Sequence, residues 1–439
     1  MEDISDLQKS EGLKKYLLKE EGPKKDLLKE EGPKKDLPTQ DLQEHHVTSR
    51  RGWQLAQGVD LLTRYLSTCM SDPYDPITNP TGMVNIGTAV NCLMGEELER
   101  RLNAPDMFVY RTESHQHYYD FTGTPPLRRA LSTFLSRHFA RGRPVPPEQL
   151  VVMTVDDMQP LHLLPGETLG GPDDFRLTPA LLERRLQQLR DEGARVGLVV
   201  LVNPHNPLGD VYSPHLVLNL LRVCARHEVH VIVDEVYALS VHGGGAGGEE
   251  TGGEGEGFRS VLSYDDLPDP MRTHFVWGMA KDFGLAGLRI GVIHTRDPAV
   301  LAALNVAGIY QAVPSIVQDT AATLLSDEAW CDGFFPASRA RLQQRYRDAV
   351  SLLTNEGVAV RPGQAGFFLW VDLRPYLRDQ TPAAEMELFE RLIAAGVYVV
   401  PGGELRCAVP GWYRIIFSVD LDLLTVGLKR LIDVVKSRI

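Results

Sequence analysis

The stretch VHVIVDEVY, residues 229–237, begins with Val and Ile interrupted only by His230 and ends in two carboxylates, a valine and a tyrosine. Three further short runs have the same apolar character: VGLVVLVN at 196–203, THFVWGMAK at 273–281 and RIGVIHT at 289–295. Segments with the 3.6-residue period of helices accompany them, such as SPHLVLNLLRVCARH at 213–227. Continuous apolar strands that alternate with helices predict a mostly parallel sheet covered on both faces. The predicted fold class is therefore α/β, with a three-layer α/β/α domain.

The last third of the chain has a different pattern. A polar helical segment, RARLQQRYRDAVSLL at 339–353, is followed by the apolar run GFFLWVDL, a second helical segment, and the runs VYVV and WYRIIFSV. Helices and strands in this order predict a smaller α+β domain packed against the first. We therefore expect an amino-terminal arm and large domain at 48–310 and a small domain at 311–439.

Two stretches of low complexity lie outside this pattern. Residues 11–36 repeat a charged decapeptide, EGLKKYLLKE and then EGPKKDLLKE, in which prolines interrupt any long helix. Such a tract buries too little apolar surface to offset the entropy of ordering it. We expect a disordered tail at 1–47, with short amphipathic helices or partner binding as the alternatives. The run GGGAGGEETGGEGEG at 243–257 predicts a solvated loop.

Charge and cysteine content limit the classes of function. The 439 residues carry 46 Lys and Arg against 58 Asp and Glu, so the net charge is −12 and nucleic acid is not an expected partner. The five cysteines lack CxxC spacing and the first residues are acidic, which predicts reduced thiols and a cytoplasmic location. No apolar run is long enough to span a membrane, and no histidine spacing indicates a metal site.

Two motifs stand at the ends of predicted strands, where open α/β sheets bind ligands. NPHNPLG at 203–209 projects Asn206 from a loop with two Asn-Pro steps, and the alternative is an ordinary turn. DEVY at 234–237 places Asp234 at the end of a Val and Ile strand. A carboxylate there needs a cationic partner, or else caps a neighbouring helix. Tyr237 can face the same site only if the chain leaves the strand after Asp234.

The third motif, AKDFGLAGLRIG at 280–291, places Lys281 after an apolar strand, where its amine is partly desolvated and able to form a Schiff base. A lysine at a strand end commonly extends its amine to solvent, which is the alternative. Arg289 offers a fork of donors suited to a phosphate. A pyridoxal 5'-phosphate (PLP) site needs an amine, a carboxylate and donors to the ring oxygen and phosphate. The motifs together supply them, through Lys281, Asp234, Tyr237 with Asn206, and Arg289.

With these motifs the sequence resembles the class I/II aminotransferases of the type I PLP fold, and more closely the 1-aminocyclopropane-1-carboxylate (ACC) synthase-like proteins. The resemblance runs from about residue 50 to the carboxyl end. It is carried by five blocks: RGWQLAQGVDLLTRYLSTCMSDPYDPITNPTGMVNIGTAVN, NPHNPLGDVYSP, HVIVDEVYALSV, RTHFVWGMAKDFGLAGLRIG and VPGWYRIIFS. The resemblance implies a homodimeric, PLP-dependent enzyme that acts on a small-molecule amino-acid substrate, by transamination or by α-proton abstraction and elimination.

The resemblance also implies the roles of individual residues. Lys281 forms the Schiff base and, once its amine is released, moves the α proton of the substrate. Arg414, in PGWYR, binds the substrate α-carboxylate through two hydrogen bonds. Asp234 holds the pyridine nitrogen and Arg289 binds the phosphate. Asn206 and Tyr237 bond the ring oxygen, and Tyr237 joins Lys281 in the predicted catalytic pair.

The sequence departs from the family pattern where the phosphate should bind. After the strand at 151–155 the family continues with a turn and helix that bind the phosphate, whereas here a block long enough for a helix, a strand and a loop is missing near 156–175. Asp156 and Asp157 stand where that phosphate site begins, and carboxylates repel a phosphate dianion. Hydrogen-bonding groups of the family are also replaced, at Val90, Phe121, Gly278 and Ala280.

Two hypotheses follow from this combination. The first is a PLP-dependent transferase or lyase, and the retained lysine, aspartate, tyrosine, asparagine and arginine favour it. The second is a catalytically inactive pseudoenzyme that keeps the fold and the dimer for protein interaction, and the missing phosphate site favours it.

Overall fold

The computed structural model describes residues 61–154, 175–243 and 257–437. The predicted tail at 1–47 lies outside the described residues, as do nearly all of the predicted deletion site and of the Gly/Glu loop. Within the described ranges, no helix is both long enough and apolar enough to cross a membrane.

The described residues contain short strands that fall into three sheets. In chain order the strands are β1 (Val84–Asn85), β2 (Leu150–Met153), β3 (Leu198–Val202), β4 (His230–Asp234), β5 (Thr273–Gly278), β6 (Gly291–His294), β7 (Ala359–Arg361), β8 (Phe368–Asp372), β9 (Val397–Tyr398), β10 (Val400–Pro401) and β11 (Trp412–Ile416).

The central sheet has the strand order β2-β6-β5-β4-β3. Strands β3, β4 and β5 pair in parallel, and β6 pairs antiparallel with both of its neighbours. Four of the five strands therefore run in one direction, which confirms the predicted mostly parallel sheet. Each of the four apolar runs forms one of its strands, because β-branched and aromatic side chains pack well on a sheet that is buried on both faces.

Strand β3 lies at one edge of this sheet, and its burial reflects that position. Every residue of β5 is buried, whereas Leu198 at the start of β3 is 37% exposed and Val199 and Val200 are half-buried. Among the described residues no strand pairs with the outer side of β3.

Helices surround the sheets, and several begin at sites that the sequence marks. Thr178, Ser213 and Thr381 each precede a proline at the first helical position, and each side-chain hydroxyl accepts a hydrogen bond from a backbone amide of the first turn. The helices are α1 (Leu61–Ser71), α2 (Gly95–Leu102), α3 (Thr112–His115), α4 (Pro125–His138), α5 (Pro179–Asp191), α6 (Pro214–Arg226), α7 (Met279–Asp282), α8 (Pro298–Gly308), α9 (Ser315–Ser326), α10 (Glu328–Thr354), α11 (Pro382–Ala394) and α12 (Leu421–Lys436).

A second sheet follows later in the chain. It is antiparallel, with the order β10-β11-β8-β7, and β1 pairs in parallel with β9 beside it. The helices α10, α11 and α12 alternate with these strands, as the last third of the sequence predicts. The exact boundaries of the large and small domains, at 48–310 and 311–439, stay predictions.

Each of the two larger sheets contributes to its own hydrophobic core. Around the central sheet, α4 and the strands bury aromatic rings such as Phe134, Phe275 and Trp277. Around the second sheet, Phe389, Tyr413 and other side chains pack with α10 and α12. Burial of a side chain of this kind contributes about 1.5–3 kcal/mol to the free energy of unfolding. Both cores therefore stabilise the sheets that they cover.

Candidate active site

The carboxyl ends of the central strands bring the three motifs to one edge of the sheet. Asp234, the last residue of β4, pairs with Val276 of β5, and the amide of Asn203, just beyond β3, donates to the Asp234 carbonyl at 2.9 Å. Gly278, at the end of β5, pairs with Gly291, at the start of β6. The loops that carry the candidate residues therefore begin side by side, at the position where α/β sheets bind ligands.

The DEVY segment leaves the strand at the point that the sequence required. Strand β4 ends at Asp234, which is 1% exposed, and its Oδ1 accepts a hydrogen bond from the amide of Val236 at 3.1 Å. This contact turns the chain and brings Tyr237 into the core. The Tyr237 ring meets Phe367 and Phe368 edge-on, with centroids 5.3 Å apart in each case.

Arg414 connects the second sheet to this edge. It lies on β11, opposite Trp370 of β8, and is 7% exposed. Its Nη1 donates to Oδ1 of Asn206 at 3.1 Å, and its Nη2 donates to the carbonyl oxygen of Gly87 at 3.2 Å. The structure thus brings together two residues that the sequence separates by more than 200 positions.

Lys281 contacts the backbone close to Gly87, the residue that Arg414 contacts. It lies in the short helix α7, just beyond β5, and is 9% exposed. Its Nζ donates to the carbonyl oxygen of Ala89 at 3.5 Å. The turn after it passes close to Asn91: Gly284 has φ +72°, and a Cβ there would lie 2.4 Å from the Asn91 carbonyl oxygen. Only glycine fits this turn, because it needs both a positive φ and a close backbone approach.

Residues 87–91 therefore form a backbone segment shared by Lys281 and Arg414. The two side chains donate to carbonyl oxygens only two residues apart, at Ala89 and Gly87. The segment is fixed in turn by Ser418, whose hydroxyl donates to the Val90 carbonyl at 2.7 Å. The sequence did not identify this shared segment, since the contacts are between main chain and distant side chains.

Asp282 is a second buried group that sequence analysis missed. Its carboxylate accepts three hydrogen bonds, from the amide of Leu239 at 3.0 Å, from Oγ of Ser240 at 2.6 Å and from Nε1 of Trp277 at 2.9 Å. Burial raises the pKa of Asp282 to about 7, while these donors oppose the rise. The residue ties the helix that carries Lys281 to the turn that follows Tyr237.

Glu235 is the other buried acid that sequence analysis missed, and its side chain binds the backbone at Val261. It is fully buried, and its Oε1 accepts a hydrogen bond from the amide of Val261 at 2.8 Å. Burial raises the pKa of Glu235 to about 8, against the opposing donors of Ser260 and Val261. The sequence contains one indication of both acids: each is an ionisable residue beside a predicted site residue in a mostly apolar stretch. Glu235 follows Asp234, and Asp282 follows Lys281.

Arg289 has a different setting from the other five candidates. It adopts the left-handed conformation, with φ 54°, immediately before β6, and it is exposed. The antiparallel direction of β6 brings it to the same edge of the sheet as Lys281 and Asp234. Asp156 and Asp157, at the expected phosphate site, lie outside the described residues. The phosphate-binding role of Arg289 stays a prediction.

Three of the four positions that depart from the family pattern lie at this edge or in the shared segment. Gly278 and Ala280 lie on either side of the junction of β5 and α7, and Val90 lies in the shared segment. Phe121 is half-buried, with its ring 6.4 Å from that of Tyr118. None of these side chains supplies a hydrogen-bonding group.

The geometry defines a class of protein, and comparison with known proteins agrees with it. An α/β sheet carries a buried lysine, an aspartate and an asparagine-arginine pair at its carboxyl edge. Residues 167–431 match the family described as "Aminotransferase class I and II". The match covers more than half of the chain, so the chain belongs to the aminotransferase class I and II family, and the sequence resemblance is confirmed.

The chain is similar to particular members of that family. It is 34% identical over 406 residues to 1-aminocyclopropane-1-carboxylate synthase-like protein 1 of Bos taurus, covering 84% of this chain and 79% of that protein. It is 30% identical over 421 residues to the probable inactive 1-aminocyclopropane-1-carboxylate synthase-like protein 2 of Mus musculus, covering 87% and 71%. A Thermus thermophilus aspartate aminotransferase shares its fold, with a TM-score of 0.67 at 21% identity over 89% of this chain and all of that one.

Proposed function

We propose that the chain uses PLP to transform an amino acid at its α-carbon, by transamination or by proton abstraction and elimination. The contacts of Lys281 and Arg414 to the shared segment 87–91 carry this proposal. An amine able to bind an aldehyde cofactor and a guanidinium able to bind a carboxylate are held by the same stretch of backbone. An α-amino acid presents an amino group and a carboxylate, the two groups for which such a pair is suited.

The polar groups at this edge suit the ring of PLP. Asp234 supplies a buried carboxylate for the pyridine nitrogen, and Tyr237 and Asn206 supply a hydroxyl and an amide for the ring oxygen. The amide nitrogen Nδ2 of Asn203 is buried and has no hydrogen-bond partner among the described residues, so it is a further donor at the ends of β3 and β4. When bound, PLP supplies an electron sink that stabilises negative charge at the α-carbon.

The protein residues would then perform the remaining tasks. Arg414 binds the substrate carboxylate, and its hydrogen bond to Asn206 orients the guanidinium. Lys281, once its amine is free, takes the α proton and returns it, which is general acid-base catalysis by a positioned amine. Burial of Lys281, Asp234 and Arg414 excludes water from the proton-transfer path.

A second candidate function is an inactive member of the family that binds partners. Two observations favour it: Arg289 is exposed, and a relative at 30% identity is named "probable inactive". In this alternative the buried contacts of Lys281 and Arg414 maintain the fold, and the phosphate half of the site binds too weakly to retain PLP.

We propose a homodimer as the assembly. Helix α8 is apolar yet buries only Gly308 among its residues, and just beyond it Ile309 is 53% and Tyr310 84% exposed. On another exposed loop Tyr118 is 95% exposed. Exposed apolar groups of this kind indicate a protein interface, and a second copy is the commonest partner for a soluble enzyme.

The proposed location is the cytoplasm. All five cysteines are free, and Cys69, Cys224 and Cys331 are buried in the core. Burial raises the pKa of these thiols, which keeps them unreactive. A reducing compartment matches this set of unpaired thiols.

The test is a titration of the full chain with PLP, followed by visible absorbance. We expect a saturable absorbance band that Lys281→Ala abolishes and that the exposed-site control Lys429→Ala leaves unchanged. Borohydride reduction should then fix PLP to the peptide that contains Lys281, as read by mass spectrometry. A band that persists equally in both variants would reflect surface lysines and would refute the proposed site.

A parallel titration with pyridoxal, which lacks the phosphate, separates the two candidate functions. If the chain has a phosphate site, PLP should bind at least about a hundredfold more tightly, because several charge-assisted hydrogen bonds hold a phosphate. Equal and weak binding of both compounds by a folded, dimeric sample would support the inactive alternative.

A further inference from the structure

An apolar cavity lies away from the candidate active site, between α5 and the outer edge of the central sheet. Its volume is about 210 Å³. The walls are formed by leucines of α5, by the apolar residues of β3, and by the loop around Cys407. None of the six predicted site residues lines it. For comparison, an apolar cavity of about 150 Å³ is large enough to bind benzene.

Two polar groups in the cavity wall are buried without a hydrogen-bond partner among the described residues. They are Nε of Arg185, on α5, and the indole Nε1 of Trp370, on β8. Trp370 is 2% exposed and stacks on Trp412 with centroids 5.8 Å apart, which fixes its orientation. A buried donor without an acceptor is unfavourable, so a ligand that supplies an acceptor here recovers that loss.

The charges in the wall define the kind of acceptor. Arg176, Arg185 and Arg406 line the cavity, and no aspartate or glutamate does so among the described residues. Guanidinium and indole N–H groups are all donors and cannot accept a hydrogen bond. An anion with acceptor oxygens matches them, whereas an amine does not.

We propose that this cavity binds a medium-chain monocarboxylate, with its alkyl tail among the α5 leucines and its carboxylate at Arg185 and Trp370. The apolar walls select an alkyl tail because each buried methylene group is removed from water. The volume, somewhat larger than a benzene site, suits an acid of about eight carbons. The carboxylate is the planar acceptor that an arginine binds best.

This inference does not depend on the proposed PLP chemistry. The cavity comes near the candidate active site at His205 and Pro207, which flank Asn206, and at Trp370, which pairs with Arg414 across β8 and β11. Binding of the carboxylate is therefore expected whether or not PLP binds to Lys281.

Isothermal titration of the full chain with octanoate tests the proposal. We expect one saturable site per chain, with weaker binding of octylamine because the arginines of the wall repel an ammonium group. Arg185→Gln should weaken octanoate binding at least tenfold while changing octanol binding less than threefold. The matched control is Arg184→Gln, since Arg184 is the exposed neighbour on α5 and does not line the cavity.

A second variant tests the position of the alkyl tail. Val199→Phe adds a ring to the cavity wall at a half-buried position of β3, and it should abolish binding of octanoate and octanol alike. Circular dichroism checks that each variant remains folded. The proposal is overturned if the folded wild-type chain shows no saturable binding, or if Arg185→Gln and Arg184→Gln bind octanoate equally.

Discussion

Replacing Asp282 by alanine would remove the contact that ties the lysine-bearing helix to the turn after Tyr237. The substitution leaves the Trp277 indole and the Leu239 amide as buried donors with no acceptor, whereas the Ser240 hydroxyl can rotate. Each orphaned buried donor costs about 1–3 kcal/mol, so the free energy of unfolding should fall by about 2–6 kcal/mol. This is a large part of the roughly 5–15 kcal/mol of a typical domain.

The assay is urea unfolding of the chain without cofactor, followed by circular dichroism. Asp282→Asn is the matched control: one amide oxygen can accept from Trp277 and Leu239 while the amide nitrogen donates to Ser240. We expect this variant to lie within about 1.5 kcal/mol of wild type, because all three contacts are retained. If Asp282→Ala unfolds at the same urea concentration as wild type, the three hydrogen bonds do not stabilise this junction and the reasoning fails.

Three further predictions concern pH, backbone geometry and assembly. The folded-state pKa of Glu235 is raised to about 8, so the free energy of unfolding of the wild type should fall as pH rises from about 4.5 to about 8. Urea unfolding at pH 5, 7 and 9 should show a smaller change of this free energy with pH for Glu235→Gln than for the wild type. Gly284→Ala should destabilise more than Gly142→Ala in the same assay, because both glycines have positive φ but only the first meets a backbone atom, the Asn91 carbonyl oxygen. Tyr310→Asp should shift the molar mass measured by light scattering from dimer to monomer; an unchanged mass would exclude α8 and its end from the interface.

The sequence predicts the central sheet well because the information is local. Strand β4 has Val, Ile and Val between His230 and Asp234, and it ends at Asp234, where the predicted change of direction occurs. The Asn-Pro motif follows β3 and the lysine motif follows β5, the two parallel strands on either side of β4, so the parallel topology alone brings them to one edge. The helices that begin with Thr-Pro or Ser-Pro are marked in the same local way.

Other parts of the site depend on contacts that no local pattern encodes. The hydrogen bond from Arg414 to Asn206 joins two sheets, and the carbonyl oxygens of Gly87 and Ala89 belong to the main chain, which is the same for any residue. The edge position of β3 likewise depends on which strands are present elsewhere in the chain. The sequence therefore predicts which groups meet at the sheet edge, and tertiary packing decides how they are held.

The two halves of the candidate site differ in a way that bears on activity. Lys281, Asp234 and Arg414 are buried and fixed by the core, whereas Arg289, the predicted phosphate ligand, is exposed. A weak phosphate site lowers the affinity for PLP, and a higher concentration of PLP compensates for lower affinity by mass action. No concentration of cofactor replaces a missing amine or carboxylate-binding guanidinium. In the proposed mechanism, the chain therefore retains the amine and the guanidinium that act on the substrate, and its altered phosphate site is the part for which the concentration of cofactor can compensate.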